Sequence, residues 1–191
     1  MKKRCDWAGK DPLYIKYHDT EWGTPVYDDE TLFEFLLLES FQAGLSWITI
    51  LKKRENFRKA FDNFDYQKIA NYSEEKYDNL LLDAGIIRNK LKIRSAIKNA
   101  QLFIEIQKEF GSFSTYIWSF VDGKPIANKM KAIKDIPATT ALSDCISKAL
   151  KKRGFKFLGS TIIYAFMQAT GMVNDHVTAC FCYDEIERGV R

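Results

Sequence analysis

Two sets of side chains in this sequence have types and spacings that could do chemistry. The first is Cys5, His18, His176 and Cys180, in which the only two histidines of the chain each accompany a cysteine near one end. Two thiolates and two imidazoles make a closed tetrahedral zinc site, structural rather than catalytic because no position is left for water. His176 and Cys180 stand four apart, which on a helix puts both on one face. Cys5 and His18 would supply the other pair from the amino-terminal loop, so that the ion clamps the first residues onto the last element. Taken singly, each of the four also reads as an ordinary buried residue. Cys182 reads as facing elsewhere on the same helix, and Cys145, inside ALSDCISKAL, as a small core residue.

The second is Glu39. It interrupts LFEFLLLESFQAGLSWITIL, residues 32–51, which reads as two buried helices joined by a turn around Gly44. A carboxylate among apolar side chains must be paired, neutralised or used on a ligand. Pairing with a lysine or arginine is the plainer reading. The ligand reading draws on the rings nearby in sequence, Trp7, Tyr14, Tyr17, Trp22 and Trp47, in a chain that is 14% aromatic.

A third feature is a turn with glycines at both ends, Gly154 to Gly159, which follows Lys151, Lys152 and Arg153 and precedes Ser160 and Thr161. Such a helix-hairpin-helix lets backbone approach a ligand closely and turns the free N–H groups of its second helix toward a phosphate. An ordinary αα-hairpin with a glycine cap is the alternative.

The elements that must position these groups are helices with short connections. The pattern predicts a short helix at Asp11–Asp19, helices from Asp28 to Leu38 and from Ser46, and short helices from Asp65 and Ser73. A long helix follows from Asn89 to Phe110, then one from Ser112. Two more run from Thr140 to Arg153 and from Ser160 to Gly171. Ile126 and Ile136 are the candidates for a small extended pair. Lys52, Lys53 and Arg54 read as a solvated face. The fold class is all-α, one domain over residues 1–191.

Composition sets the outer limits. Hydrophobic residues at 46% and charged residues at 28% are those of a soluble globular chain, and a net charge of +4 permits a polyanionic partner without requiring one. The start, MKKRCDWAGKDPLYI, has no apolar run after its basic residues, so no secretory signal, no disulfide framework and a cytoplasmic protein are expected. The apolar stretch holding Glu34, Glu39 and Gly44 does not read as a membrane span.

With these pieces assembled, the chain resembles 3-methyladenine-DNA glycosylase I, a family of bacterial base-excision repair enzymes in the helix-hairpin-helix superfamily. The resemblance is carried by RCDWAGKDPLYIKYHDTEWGTP, LESFQAGLSWITILKKRENF, DAGIIRNKLKI, IWSFVDGKP, SKALKKRGFKFLGSTIIYAFMQATG and MVNDHVTACFCY, from Arg4 to Tyr183. It implies a helix-hairpin-helix glycosylase fold whose termini are stapled by one structural Zn²⁺ on Cys5, His18, His176 and Cys180. It also implies a base pocket of Tyr17, Glu39 and Trp47 walled by Trp7, Tyr14 and Trp22, with Glu39 as the catalytic carboxylate. The implied partners are double-stranded DNA containing 3-methyladenine and the free base as product, for a monomer with no membrane association.

The chemistry fits that implication. The methylated base is cationic while attached to its sugar, which suits ring faces and a carboxylate, and it is an activated leaving group. DNA would be gripped by Gly154, Lys156, Gly159, Ser160 and Thr161, while Gln42 and Leu45 fill the gap left by an extruded nucleotide. Asp175 is the candidate general base by position, or else an orienting partner of His176. No lysine lies between Ser160 and the chain end, which argues for a monofunctional hydrolase. The rivals are a glycosylase for another lesion and a zinc-stapled nucleic-acid-binding module without chemistry.

Overall fold

A computed structural model describes residues 2–190. The chain folds as α1 (Pro12–Thr20), α2 (Asp29–Gln42), α3 (Trp47–Ala60), α4 (Tyr66–Ile69), α5 (Glu74–Leu82), α6 (Lys90–Phe110) and α7 (Phe113–Trp118). There follow β1 (Ile126–Ala127), α8 (Ala141–Arg153), α9 (Ser160–Ala169), β2 (Val173–Asn174) and α10 (Phe181–Glu187). The expected all-helical class holds, with one two-residue parallel ladder added. No described helix is long and apolar enough to cross a membrane.

The organising element is α2. Every residue from Leu32 to Phe41 is buried, so the helix is apolar on all sides and sits inside the protein rather than on its surface. Asp28 caps it by accepting from the Thr31 amide at 2.8 Å. Asp29 works across space: its carboxylate accepts from the amides of Phe113 and Ser114 at 2.9 and 2.7 Å, satisfying the start of α7. At the other end Lys92 of α6, itself buried, donates to the carbonyls of Phe41 and Ala43 at 2.8 and 2.7 Å. That ammonium answers the last carbonyls of α2 and fixes the turn that follows. Gly44 takes φ +83° there, and α3 begins three residues later.

The α8–α9 hairpin is held from outside as well as within. Gly154 closes α8 at φ 105°. Asn99 of α6 grips the turn reciprocally, donating to the Lys156 carbonyl at 3.0 Å and accepting from its amide at 2.9 Å. Ser147 adds a bond to the Leu158 carbonyl at 2.8 Å. The turn is therefore preset rather than loose.

Several expectations are corrected. Ile126 pairs in parallel with Val173, not with Ile136, so the irregular segment before α8 docks on the segment after α9. His176 and Cys180 are not on a helix, since α10 starts only at Phe181. Cys145 is exposed, because the buried face of α8 runs through Ser143, Ile146 and Leu150. Arg54 is not solvated: it bonds Glu21 at 2.6 Å and Glu34 at 2.7 Å.

Gly171, between α9 and β2, is the tightest backbone approach. It has φ +69°, and a Cβ there would lie 2.5 Å from backbone atoms of Thr24 and Pro25. A left-handed non-glycine residue alone costs about 1–3 kcal/mol, and here the backbone must also part. Gly171→Ala is expected to lower the melting temperature by at least several degrees, at roughly 2–4 °C per kcal/mol for a chain of this size. A thermal melt within one degree of the parent would refute that.

Candidate active site

The two carboxylates buried on α2 have opposite fates. Glu34 is answered by Arg54 at 2.7 Å and Arg58 at 2.8 Å. Glu39, only 3% exposed, has an Oε2 with no hydrogen-bond partner, and among the described residues it forms no ion pair within 4.0 Å. Burial pushes its pKa well above the ordinary carboxylate value. The protein thus spends its arginines on Glu34 and leaves Glu39 facing a cavity.

That cavity has a volume of about 190 Å³ and is lined by Trp7, Tyr14, Tyr17, Trp22, Glu39, Gln42, Trp47, Ile136, Ala165 and Gln168. It is built by the amino-terminal turn and α1 with the residues just after it, the end of α2, the start of α3, the segment before α8 that carries Ile136, and α9. Trp7 lies 4.9 Å, centroid to centroid, from both Tyr14 and Trp22, while Tyr17 and Trp47 are 5.6 Å apart. Trp47 contributes a buried Nε1–H without a partner, so the wall holds an orphan donor as well as an orphan acceptor. Burial, then the charge of Glu39, pushes the Tyr17 phenol well up, and the same causes push up Tyr14. Both remain neutral hydroxyls at ordinary pH. Rings, a donor and an acceptor around a volume of this size form a site for a flat, polar-edged molecule.

All six residues expected in the pocket line it. Gln42, expected at the DNA, lines it too, whereas Leu45 is 40% exposed at the tip of the α2–α3 turn rather than packed in the core. Sequence reasoning missed Ile136, Ala165 and Gln168. Only the i, i+3 spacing of Ala165 and Gln168 on α9 hinted at a shared face. Asp175 is fully buried and lies outside the cavity lining, its two oxygens taking bonds from Tyr164, Gln168 and Asn128.

Beside the cavity, Cys5, His18, His176 and Cys180 come together, all buried, with their ligand atoms within 4.8 Å of one another. The Cys180 sulfur is 3.5 Å from His18 Nε2 and 3.6 Å from His176 Nδ1, and the Cys5 sulfur is 3.5 Å from the same Nδ1. Ligands at about 2.3 Å for sulfur and 2.0–2.1 Å for nitrogen around a tetrahedral centre give an S···N edge of about 3.5 Å. The remaining ring nitrogens are held outside: His18 Nδ1 lies 2.8 Å from Asp19, and His176 Nε2 lies 3.0 Å from the Trp22 carbonyl. This orientation of imidazoles is the one metal sites use. Hydrogen bonds from Cys182 and then Cys5 pull the Cys180 thiol strongly down, toward thiolate. The four residues could hold a metal ion.

Cys182 does not face elsewhere. Its sulfur lies 3.9 Å from His18 Nδ1, and it groups with His18 and Asp19 in a second, smaller set. At the hairpin, Gly159, Lys156 and Thr161 are exposed and Ser160 is half-buried, with its Oγ 2.8 Å from Ser143 Oγ. Lys151 and Lys152 are exposed beside them, while Arg153 is paired to Glu109 at 2.6 Å.

The chain thus sets a ring-walled cavity and a buried, unanswered carboxylate beside a basic hairpin, and comparison with known proteins places it among the DNA glycosylases, a class of hydrolases. The family model for methyladenine glycosylase matches residues 7–183, and the chain belongs to that family. It is 52% identical over 181 residues to DNA-3-methyladenine glycosylase 1 of Escherichia coli (strain K12), covering 95% of this chain and 97% of that one. The crystal structure of a 3-methyladenine DNA glycosylase I superposes with a TM-score of 0.92 at 53% identity, covering 94% of this chain and 99% of that one. A variant of such an enzyme in complex with 3-methyladenine matches with a TM-score of 0.91 at 38% identity, over 93% and 96% of the two chains.

Proposed function

We propose that this enzyme extrudes 3-methyladenine from alkylated duplex DNA and hydrolyses its N-glycosidic bond, without lyase activity. The observation that carries the reading is the partnerless Glu39 in a cavity of rings. An attached 3-methyladenine is a cation, so it gains from the ring faces and draws Glu39 back toward its ionised form. Neutral adenine offers neither gain. Recognition therefore falls on charge, and bond cleavage relies on the instability that alkylation has already given the base. The C1′–N bond breaks with its electron pair passing to the base, which leaves neutral, and water adds to C1′ and gives up a proton. Among the described residues no lysine lines the cavity, which supports hydrolysis without a Schiff base.

In this reading the α8–α9 hairpin holds the phosphate backbone as a helix-hairpin-helix, through Gly154, Lys156, Gly159, Ser160 and Thr161. Leu45, exposed at a turn fixed by Lys92, enters the gap in the duplex, and Gln42 spans from that turn to the pocket. The Cys₂His₂ cluster takes one Zn²⁺, which neutralises the two thiolates and ties residues 5 and 18 to 176 and 180. Its place is structural.

The deciding assay is release of free 3-methyladenine from methylated duplex DNA. Release above background is expected, with no strand nicking beyond that of the abasic product. Tight DNA binding without release, by protein of intact fold and metal content, would favour the non-catalytic module. Release of an oxidised or mismatched base instead would favour a different lesion.

A further inference from the structure

Gln168, in the last turn of α9, is a polar residue of the cavity wall whose chemistry is fixed from behind. Its Nε2 donates to Asp175 Oδ2 at 2.7 Å. The same oxygen takes the Tyr164 hydroxyl at 2.6 Å, and Oδ1 takes Asn128 Nδ2 at 2.8 Å. Both Asp175 oxygens are engaged by donors, one of them the Gln168 nitrogen, so the carbonyl oxygen is the end this amide can offer the cavity. Glu39 Oε2 is another acceptor on the same wall. An acceptor held in this way suits a ring edge that brings an amine, with two N–H groups, and penalises one that brings an oxygen.

We propose that Gln168 is a specificity-determining residue, its Oε1 accepting from the exocyclic amine at position 6 of an alkylated purine, and that Asp175 is the positioning residue that holds it so. Selection of 6-amino over 6-oxo alkylated purines then has a named source. The proposal rests on the reading of the cavity as a 3-methyladenine site. It also assigns Asp175, whose oxygens are all engaged, to orientation rather than proton transfer.

The test is calorimetric binding of two free bases, 3-methyladenine and 3-methylhypoxanthine, which share the ring methyl and differ at position 6. The parent protein is expected to prefer the amine. Gln168→Leu, close in volume, is expected to shrink that preference about tenfold or more, because a buried acceptor facing an acceptor no longer penalises the 6-oxo base. An unchanged preference overturns the assignment, as does equal loss of both bases by a variant with parental melting. A parent that binds neither base sinks the cavity reading itself, before Gln168 is at issue.

Asp175 is tested by rescue. In Asp175→Asn the new oxygen can still accept from Gln168 and Tyr164 if Asn128 turns its amide over, so Asn is expected to keep the preference that Asp175→Leu loses. Metal content is measured in each variant because His176 is the next residue. If Asp175→Asn loses the preference as Asp175→Leu does, the positioning role is overturned; if it keeps the preference but cuts excision a hundredfold or more, Asp175 also transfers a proton and its assignment to orientation alone is overturned.

Discussion

Glu39→Gln is expected to weaken binding of free 3-methyladenine by about 10–100-fold, and to lower excision from methylated DNA at least as much. Gln cannot make the hydrogen bond that Glu39 makes once the ligand draws it to its ionised form, and a bond to a charged group is worth about 1.5–3 kcal/mol, where each 1.4 kcal/mol is tenfold. Stability should move the other way. Burial raises the Glu39 pKa above its ordinary 4.5, so the folded protein holds a proton that the unfolded chain releases. Such a group favours the fold at low pH, and that contribution is lost as pH climbs through the folded-state pKa. The glutamine variant carries no such liability. Its melting temperature should exceed the parent's at neutral pH, with a gap that narrows to nothing toward pH 4. Calorimetric titration with the base and melts across pH 4–8 check both halves. Equal affinity in the variant would mean that Glu39 does not read the base, and a gap independent of pH would mean that its burial is not what costs stability.

The second large effect concerns the cluster that joins the chain ends. Purified protein is expected to carry about one equivalent of zinc, and Cys180→Ser to lose it. A ligand bound to the folded state at a thousand times its Kd stabilises by about 4.1 kcal/mol. At roughly 2–4 °C per kcal/mol for a chain of this length, the melting temperature should drop by about 8–16 °C. A chelator strong enough to strip the parent should bring it to the same value, and added zinc should restore the parent alone. Metal-free parent protein with unchanged melting would remove the site. Because Trp22 supplies the carbonyl that orients His176 and also lines the cavity, the stripped protein should bind 3-methyladenine less well even below its melting temperature.

Much of this architecture is written locally. α2 is legible because an apolar run of that length has nowhere to go but inward, and a carboxylate within it demands an account. The hairpin is legible because Gly154, Gly159 and the basic end of α8 are turn and terminus chemistry. What was not legible depended on partners far away in sequence. Whether Glu39 or Glu34 would be the paired carboxylate turns on where Arg54 and Arg58 come to rest, one α-helix later. The set of residues that could hold a metal could be read from residue type, yet the conformation could not: a spacing of four suits a helix face and also the turn that His176 and Cys180 adopt. Cys145 was misplaced by a single residue step, since on α8 its neighbour Ile146 faces the core and a step of one turns the side chain by about 100°. Gln168 acquires its meaning only when β1 and β2 pair and carry Asn128 and Asp175 to its back.

The union of residues 5 and 18 with 176 and 180 also has a consequence for the order in which the protein matures. Translation runs from the amino terminus, so Cys5 and His18 are made long before His176 and Cys180. The four side chains can meet only once the segment holding His176 and Cys180 has folded back onto the amino-terminal turn. Two walls of the cavity, Trp7 and Trp22, thus stand beside contacts that span nearly the whole chain and carry its largest loop-closure cost.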